Sequence, residues 1–157
     1  MKKMWRAVVC LALVMMVAFG SCAYAANVKI LNVTVNGARV RDSNGEVIGS
    51  AGRNLKVFYM GKKIRSNSLV RCANGKAGYI YDGFLELYGS VDSDSIYYCN
   101  VKSSKIYRSP STSASGLGYM YKDQYVILMR TQGDWAYVRN LSGAGGFCKL
   151  SHLNKAD

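Results

Sequence analysis

Beyond residue 25 the apolar positions recur in short alternating stretches, and no segment holds the 3.6-residue stripe of a packed helix. Leu55, Val57 and Tyr59 alternate with polar or second-face residues, and Tyr125 to Met129 is a continuous run rich in β-formers. Leu69 to Ala73 and Lys76 to Tyr81 flank Asn74-Gly75. That dipeptide predicts a hairpin with a type I′ turn, in which both central residues need positive φ. Ser142-Gly143-Ala144-Gly145 predicts a looser turn of the same kind, and Asn44-Gly45 and Gln132-Gly133-Asp134 mark others. Asp82 to Leu87 is the one stretch expected to coil, as a short 3₁₀ turn. Gly89 to Ser95 has the composition of a linker.

The first residues follow a different pattern. Lys2, Lys3 and Arg6 precede an uncharged apolar run from Ala7 to Gly20, and Ala23-Tyr24-Ala25 sets small residues at −3 and −1 of a cut before Ala26. These three parts make a secretory signal peptide over residues 1–25. The run is shorter than the ~20 residues a membrane helix needs, and no later segment approaches that length. Phe19-Gly20-Ser21-Cys22 is an imperfect lipobox, so lipidation at Cys22 stands as the less favoured alternative to release. The reading places the protein outside the cytoplasm, in the periplasm or extracellular and associated with the cell wall.

The rest of the chain repeats itself. Residues 38–85 can be laid over 105–153: Arg71 to Gly75 meets Arg139 to Gly143 at an offset of 68, as do Gly78-Tyr79 with Gly146-Phe147 and Leu85 with Leu153. Gly49 meets Gly118 and Val57 meets Val126 at an offset of 69, and Arg41 is paired with Arg108 at 67. Self-similarity with small drifts predicts one supersecondary unit used twice, with indels in loops. The expected division is 26–88, a linker at 89–95, and 96–157.

Charge narrows the partners. The chain has 21 Lys and Arg against 9 Asp and Glu, and a formal net charge of +12. Only three of the basic residues belong to the leader. Such an excess favours anionic envelope polymers or phospholipid surfaces, and export makes nucleic acid the weakest candidate. Cys72, Cys99 and Cys148 follow the leader, no Cys-x-x-Cys exists, and His152 is the single histidine. A metal site is therefore poorly supported, no cofactor is expected, and scattered carboxylates give no catalytic set. Cys148 and His152 lie four residues apart, ~13 Å along a strand, too far for a thiolate–imidazole pair.

The order of motifs in both halves resembles that of bacterial SH3-like domains. The second shows Tyr107-Arg108-Ser109-Pro110-Ser111-Thr112, Gly116-Leu117-Gly118, Gly133-Asp134-Trp135-Ala136-Tyr137-Val138, Gly146-Phe147-Cys148 and Ser151-His152-Leu153. The first shows Val40-Arg41-Asp42, Val47-Ile48-Gly49, Leu69-Val70, Gly78-Tyr79-Ile80 and Gly83-Phe84-Leu85, with Asn67 where the second has Trp135. The resemblance implies an all-β chain of two small tandem barrels, and a non-enzymatic binding role toward peptidoglycan peptides. It also implies that the first and last strands of a barrel are neighbours, which would let Cys99 and Cys148 join as a disulfide. Pairing of Cys72 with Cys99, clamping the halves together, is the alternative.

Candidate ligand contacts follow. Tyr107, Arg108, Trp135 and Tyr137 offer aromatic faces and a cation at a strand end of the second half. Lys62, Lys63 and Arg65, with Arg53 and Arg71, offer a basic loop in the first. The function expected is recognition of cell-wall peptide or another anionic envelope polymer. The alternative is an adaptor or inhibitor docking on another secreted protein.

Overall fold

The computed structural model describes residues 26–156. The expected leader, with Cys22, lies outside the described residues. Fourteen strands account for most of the described residues: β1 (Asn27–Val33), β2 (Ala38–Arg41), β3 (Val47–Ala51), β4 (Lys56–Ile64), β5 (Asn67–Cys72), β6 (Ala77–Tyr81) and β7 (Leu85–Asp92), then β8 (Ile96–Cys99), β9 (Ser103–Tyr107), β10 (Gly116–Tyr121), β11 (Tyr125–Gln132), β12 (Trp135–Arg139), β13 (Gly145–Lys149) and β14 (Leu153–Lys155). Short 3₁₀ turns lie at Asp82–Phe84, Ser93–Ser95 and Leu150–His152, and the described residues contain no α-helix. No helix among them is long and apolar enough to cross a membrane.

The strands form two antiparallel seven-stranded sheets of the same order, β3-β2-β6-β5-β4-β1-β7 and β10-β9-β13-β12-β11-β8-β14. Adding seven to each label of the first yields the second, so the repeat read in the residues is a repeat of topology. The registers refine it. Arg41 opposes Tyr79 and Tyr107 opposes Phe147, which makes Tyr107, not Arg108, the counterpart of Arg41. The same bonds frame β1 and β8: Asn54 N–H donates to Val33 O as Asp123 N–H donates to Cys99 O, and both donors sit at positive φ.

The expected closed barrels are not formed. Each order is linear, ending on β3 and β7 or on β10 and β14. A bulge interrupts the ladder between each of β3 and β10 and its one partner, re-aiming these edges without giving them a closing neighbour. Each sheet nevertheless curls round its own apolar centre. Val33, Ala38, Ala51, Val57, Val70 and Ile80 come from six successive strands of the first sheet. Cys99, Met120, Val126, Ala136, Val138, Cys148 and Leu153 fill the second.

Turn chemistry sets the hairpins. Between β5 and β6, Gly75 N–H donates to Cys72 O and Cys72 N–H to Lys76 O, and Gly75 has φ 82°. Asn74 does not take positive φ, so the loop is the three-residue kind with a left-handed glycine, not the expected type I′ turn. Asn140 to Ala144, with Gly143 at φ 98°, repeats that pattern of bonds, and so does Asp42 to Glu46 with Gly45.

The segment expected as a linker is mostly strand. β7 pairs with β1 from Leu85–Val33 to Asp92–Asn27, and only Ser93–Ser95 stand between the sheets, as a 3₁₀ turn capped by the Asp92 carboxylate. Its polar residues suit an edge strand, where one face meets water. The halves then touch through a third apolar cluster, in which Ile30 and Phe58 meet Ile96 and Leu141. Tyr125 N–H donates to Ala73 O across this boundary, at 2.7 Å.

Candidate functional site

Alternation along β9, β12 and β13 decides what the second sheet shows to solvent. Ala136, Val138 and Cys148 turn inward to the core, which sends Trp135, Tyr137, Phe147 and Lys149 to the outer face, where Phe147 is itself buried beneath its neighbours. Cross-strand register then lines them up. Tyr107 opposes Phe147, Phe147 opposes Tyr137, Tyr137 opposes Arg130, and Trp135 opposes Lys149.

The rings pack on one another. Tyr107 and Trp135 meet edge to face with centroids 5.5 Å apart, and Tyr137 and Phe147 meet at 5.1 Å. Three cations cap them: Lys149 Nζ stands 4.2 Å from the Trp135 ring, Lys105 Nζ 5.2 Å from Tyr107, and the Arg130 guanidinium 5.4 Å from Tyr137. Such contacts contribute about 0.5–1 kcal/mol each at exposed sites. They also hold long flexible side chains ready beside flat aromatic faces. The arrangement can stack on amide or sugar planes while its ammonium and guanidinium groups meet carboxylates or phosphates.

Three of the four residues expected for this half therefore come together. Arg108 does not join them: it follows Tyr107 in the loop, exposed, and its side chain forms no hydrogen bond or ion pair within the described residues. Phe147, Lys105, Arg130 and Lys149 complete the face and were missed. The i, i+2 spacing of Lys105-Tyr107, Trp135-Tyr137 and Phe147-Lys149 is the signal that could have found three of them; Arg130 joins only through its register with Tyr137.

The basic residues of the first half do not form one patch. Lys63 is tied to Asp82, Nζ to Oδ2 at 2.7 Å, and the buried Ser68 hydroxyl donates to Asp82 Oδ1 at 2.6 Å. The hydrogen bond from Lys63, followed by that from Ser68, holds the Asp82 carboxyl below its ordinary range. The same bond raises the Lys63 ammonium. Arg53 Nε donates to Thr34 O, and Arg71 is drawn into the junction between the sheets. Lys62 and Arg65 remain exposed. Arg65, Arg41, Asn67 and Tyr79 border a cavity of about 390 Å³. It lies where the second sheet carries Tyr107, Trp135 and Phe147.

Cys72, Cys99 and Cys148 are all free thiols, so neither the expected Cys99–Cys148 disulfide nor the Cys72–Cys99 alternative is formed. Cys99 and Cys148 nevertheless lie in the same core, both fully buried, while Cys72 belongs to the first half. Burial, and then the nearness of Cys99, push the Cys148 thiol up to about 12. That is opposite to the activation a nucleophilic thiol needs. His152 bonds elsewhere, its Nδ1 2.9 Å from the buried Ser104 hydroxyl. Among the described residues no group of three or more His, Cys, Asp or Glu side chains gathers as a metal site requires.

No family model matches the chain, and no curated protein matches it. Among solved structures it is similar to NlpC2 from Trichomonas vaginalis, at 14% identity and a TM-score of 0.36, over 85% of this chain and 50% of that one. It is also similar to NlpC1 from the same organism, at 14% identity and a TM-score of 0.35, over 87% of this chain and 48% of that one. The chain spans about half the length of these proteins.

Proposed function

We propose that this is an exported, non-enzymatic binding protein of the cell envelope, built from two bacterial SH3-like modules, which recognises cell-wall peptide or another anionic envelope polymer. The observation that carries the reading is the second sheet's outer face, where Tyr107, Trp135, Tyr137 and Phe147 are capped by Lys105, Arg130 and Lys149. Amide or sugar planes stack on the rings, and carboxylates or phosphates of the polymer meet the cations. The Arg41–Arg65 cavity of the first sheet adds weaker attraction, and two modest sites on one chain gain by avidity. Cys99 and Cys148, free thiols sharing the second core, are the pair that an oxidising compartment implied by export would join.

Co-sedimentation with purified sacculi tests this reading. The protein pellets with them, Trp135→Ala weakens retention by about tenfold, in line with the loss of one aromatic anchor, and Asn67→Ala leaves it unchanged. Retention falls steeply as salt rises. No enrichment over a neutral control protein would sink the proposal.

The second reading, an adaptor on a secreted protein, draws on the edge strands. Val47 and Ile48 on β3, and Leu117, Tyr119 and Tyr121 on β10, are all exposed. An unpaired edge with apolar side chains accepts a partner's strand. Capture of one defined protein, abolished by Tyr119→Lys and insensitive to Trp135→Ala, would favour it.

A further inference from the structure

Where the cluster joining the two sheets thins out, it encloses a cavity of about 360 Å³. Its walls include Val28, Phe58, Met60 and Ile96, and its charged lining residues are Lys29 and Arg71; no Asp or Glu side chain borders it among the described residues. Pockets for small ligands typically begin at about this size, are mostly apolar with a few placed polar groups, and occur between packed units.

Arg71 is the unusual member. Its guanidinium lies over the Tyr125 ring, 5.0 Å from the centroid, and Nη1 donates to the Tyr125 hydroxyl. Nε is buried and has no acceptor. The ion pairs among the described residues, Lys63–Asp82 and Lys155–Asp94, do not involve it. Asp123 borders a second, more polar recess that Arg71 also lines, and makes no ion pair with it. A partly buried cation with an unmet donor and no counter-ion is costly, and an anion that reaches it removes that cost. With Nη1 engaged by Tyr125 and Nε buried, a carboxylate meets Nη2 first, and a small shift of the side chain that uncovers Nε would complete a side-on grip.

We propose that this cavity binds a small ligand with an apolar chain ending in a single carboxylate, the chain lying among Phe58, Met60 and Ile96 and the carboxylate on Arg71 and Lys29. The site is separate from the aromatic face and does not depend on the function proposed for it. A fatty acid and an acylated apolar amino acid share this chemistry.

The test titrates the purified protein with octanoate, octanol, octylammonium and N-acetyl-leucine, following the backbone amides of Phe58, Met60, Ile96 and Tyr125 by NMR. At least one carboxylate saturates with shifts centred on these amides, and octanol binds at least about tenfold more weakly, the difference one charge-assisted contact makes. The tighter of octanoate and N-acetyl-leucine identifies the source. Arg71→Met keeps the apolar stem and removes the preference for carboxylate over alcohol. Equal affinity for octanoate, octanol and octylammonium, saturable shifts centred elsewhere, or no saturable shift with either carboxylate overturns the proposal. Those comparisons are made on the unaltered protein, so they stand even if the variant folds poorly.

Discussion

The two sheets share strand order, turns and bonding frame, yet they solve the same packing problem with different side chains. Val33 and Ile80 in the first core become Cys99 and Cys148 in the second, and Ala51 becomes Met120. Two positions lose volume and a third gains it, as close packing demands when the enclosing backbone is kept. Ala38 and Phe84 become Ser104 and His152, and the new polar atoms hydrogen-bond each other. On the outer face nothing enforces such compensation. There Arg41, Asn67 and Tyr79 border a cavity while Tyr107, Trp135 and Phe147 form a packed aromatic surface. The two halves share what the fold needs and differ in what faces solvent.

The largest test of this comparison is at the junction. Phe58, 2% exposed, belongs to the first sheet but packs against Ile96 and Leu141 of the second. Phe58→Ala should cost about 3–5 kcal/mol. It should also split a single denaturant transition into two, one for each sheet, when followed by Trp135 fluorescence and by far-UV dichroism. One unchanged transition would mean that the halves do not stabilise each other.

The next test asks whether equivalent positions respond equally. A Cβ on Gly78 would crowd the Val40 side chain and lie 3.1 Å from Arg41 O; one on Gly146 would crowd Ile106 and lie 2.9 Å from Tyr107 O. Gly78→Ala and Gly146→Ala should each destabilise by about 1–3 kcal/mol in urea melts, within a factor of two of one another. A large loss in one half with none in the other would show that the shared topology hides unequal packing.

The smallest effect sharpens a difference. Asp82 accepts from Ser68 and Lys63, whereas Ala136 stands at the position of Ser68 in the second sheet. Because the folded Asp82 carboxyl is held low, its stabilisation is full above the unfolded value of 3.8 and fades as pH falls through the lowered folded one. Lys63, held high, contributes below 10.5 and loses that contribution as pH rises through its raised value. Ser68→Ala should cost about 1 kcal/mol at neutral pH. Asp82→Asn should flatten stability against pH at both ends, as read by urea midpoints across the range.

Much of this was legible in the residues, and the failures have physical causes. The repeat was visible because glycines and apolar residues at strand ends are fixed by close approach and burial. The pairing of Arg41 with Arg108 rested on side-chain identity, whereas the sheet register aligns it with Tyr107. Gly89 to Asp92 read as linker because an edge strand tolerates polar residues that a central strand does not. Asn74-Gly75 marked the right turn, but one added loop residue moved positive φ to Gly75 alone. Trp135, Tyr107 and Tyr137 were recognisable as candidates. Phe147 was not, because a buried phenylalanine on the outer face looks like any core residue until its neighbours in register are known.

The placement of β1 has a mechanical consequence. It begins at Asn27, is bonded to β7 along its whole length, and is bonded to β4 through Ile30, Leu31 and Asn32. Tension entering the chain at its N-terminal side would load those ladders together, in shear, instead of peeling them one bond at a time. A chain pulled from that end would resist as a bolt drawn lengthwise from its housing, and β1 would be both its anchor and its fuse.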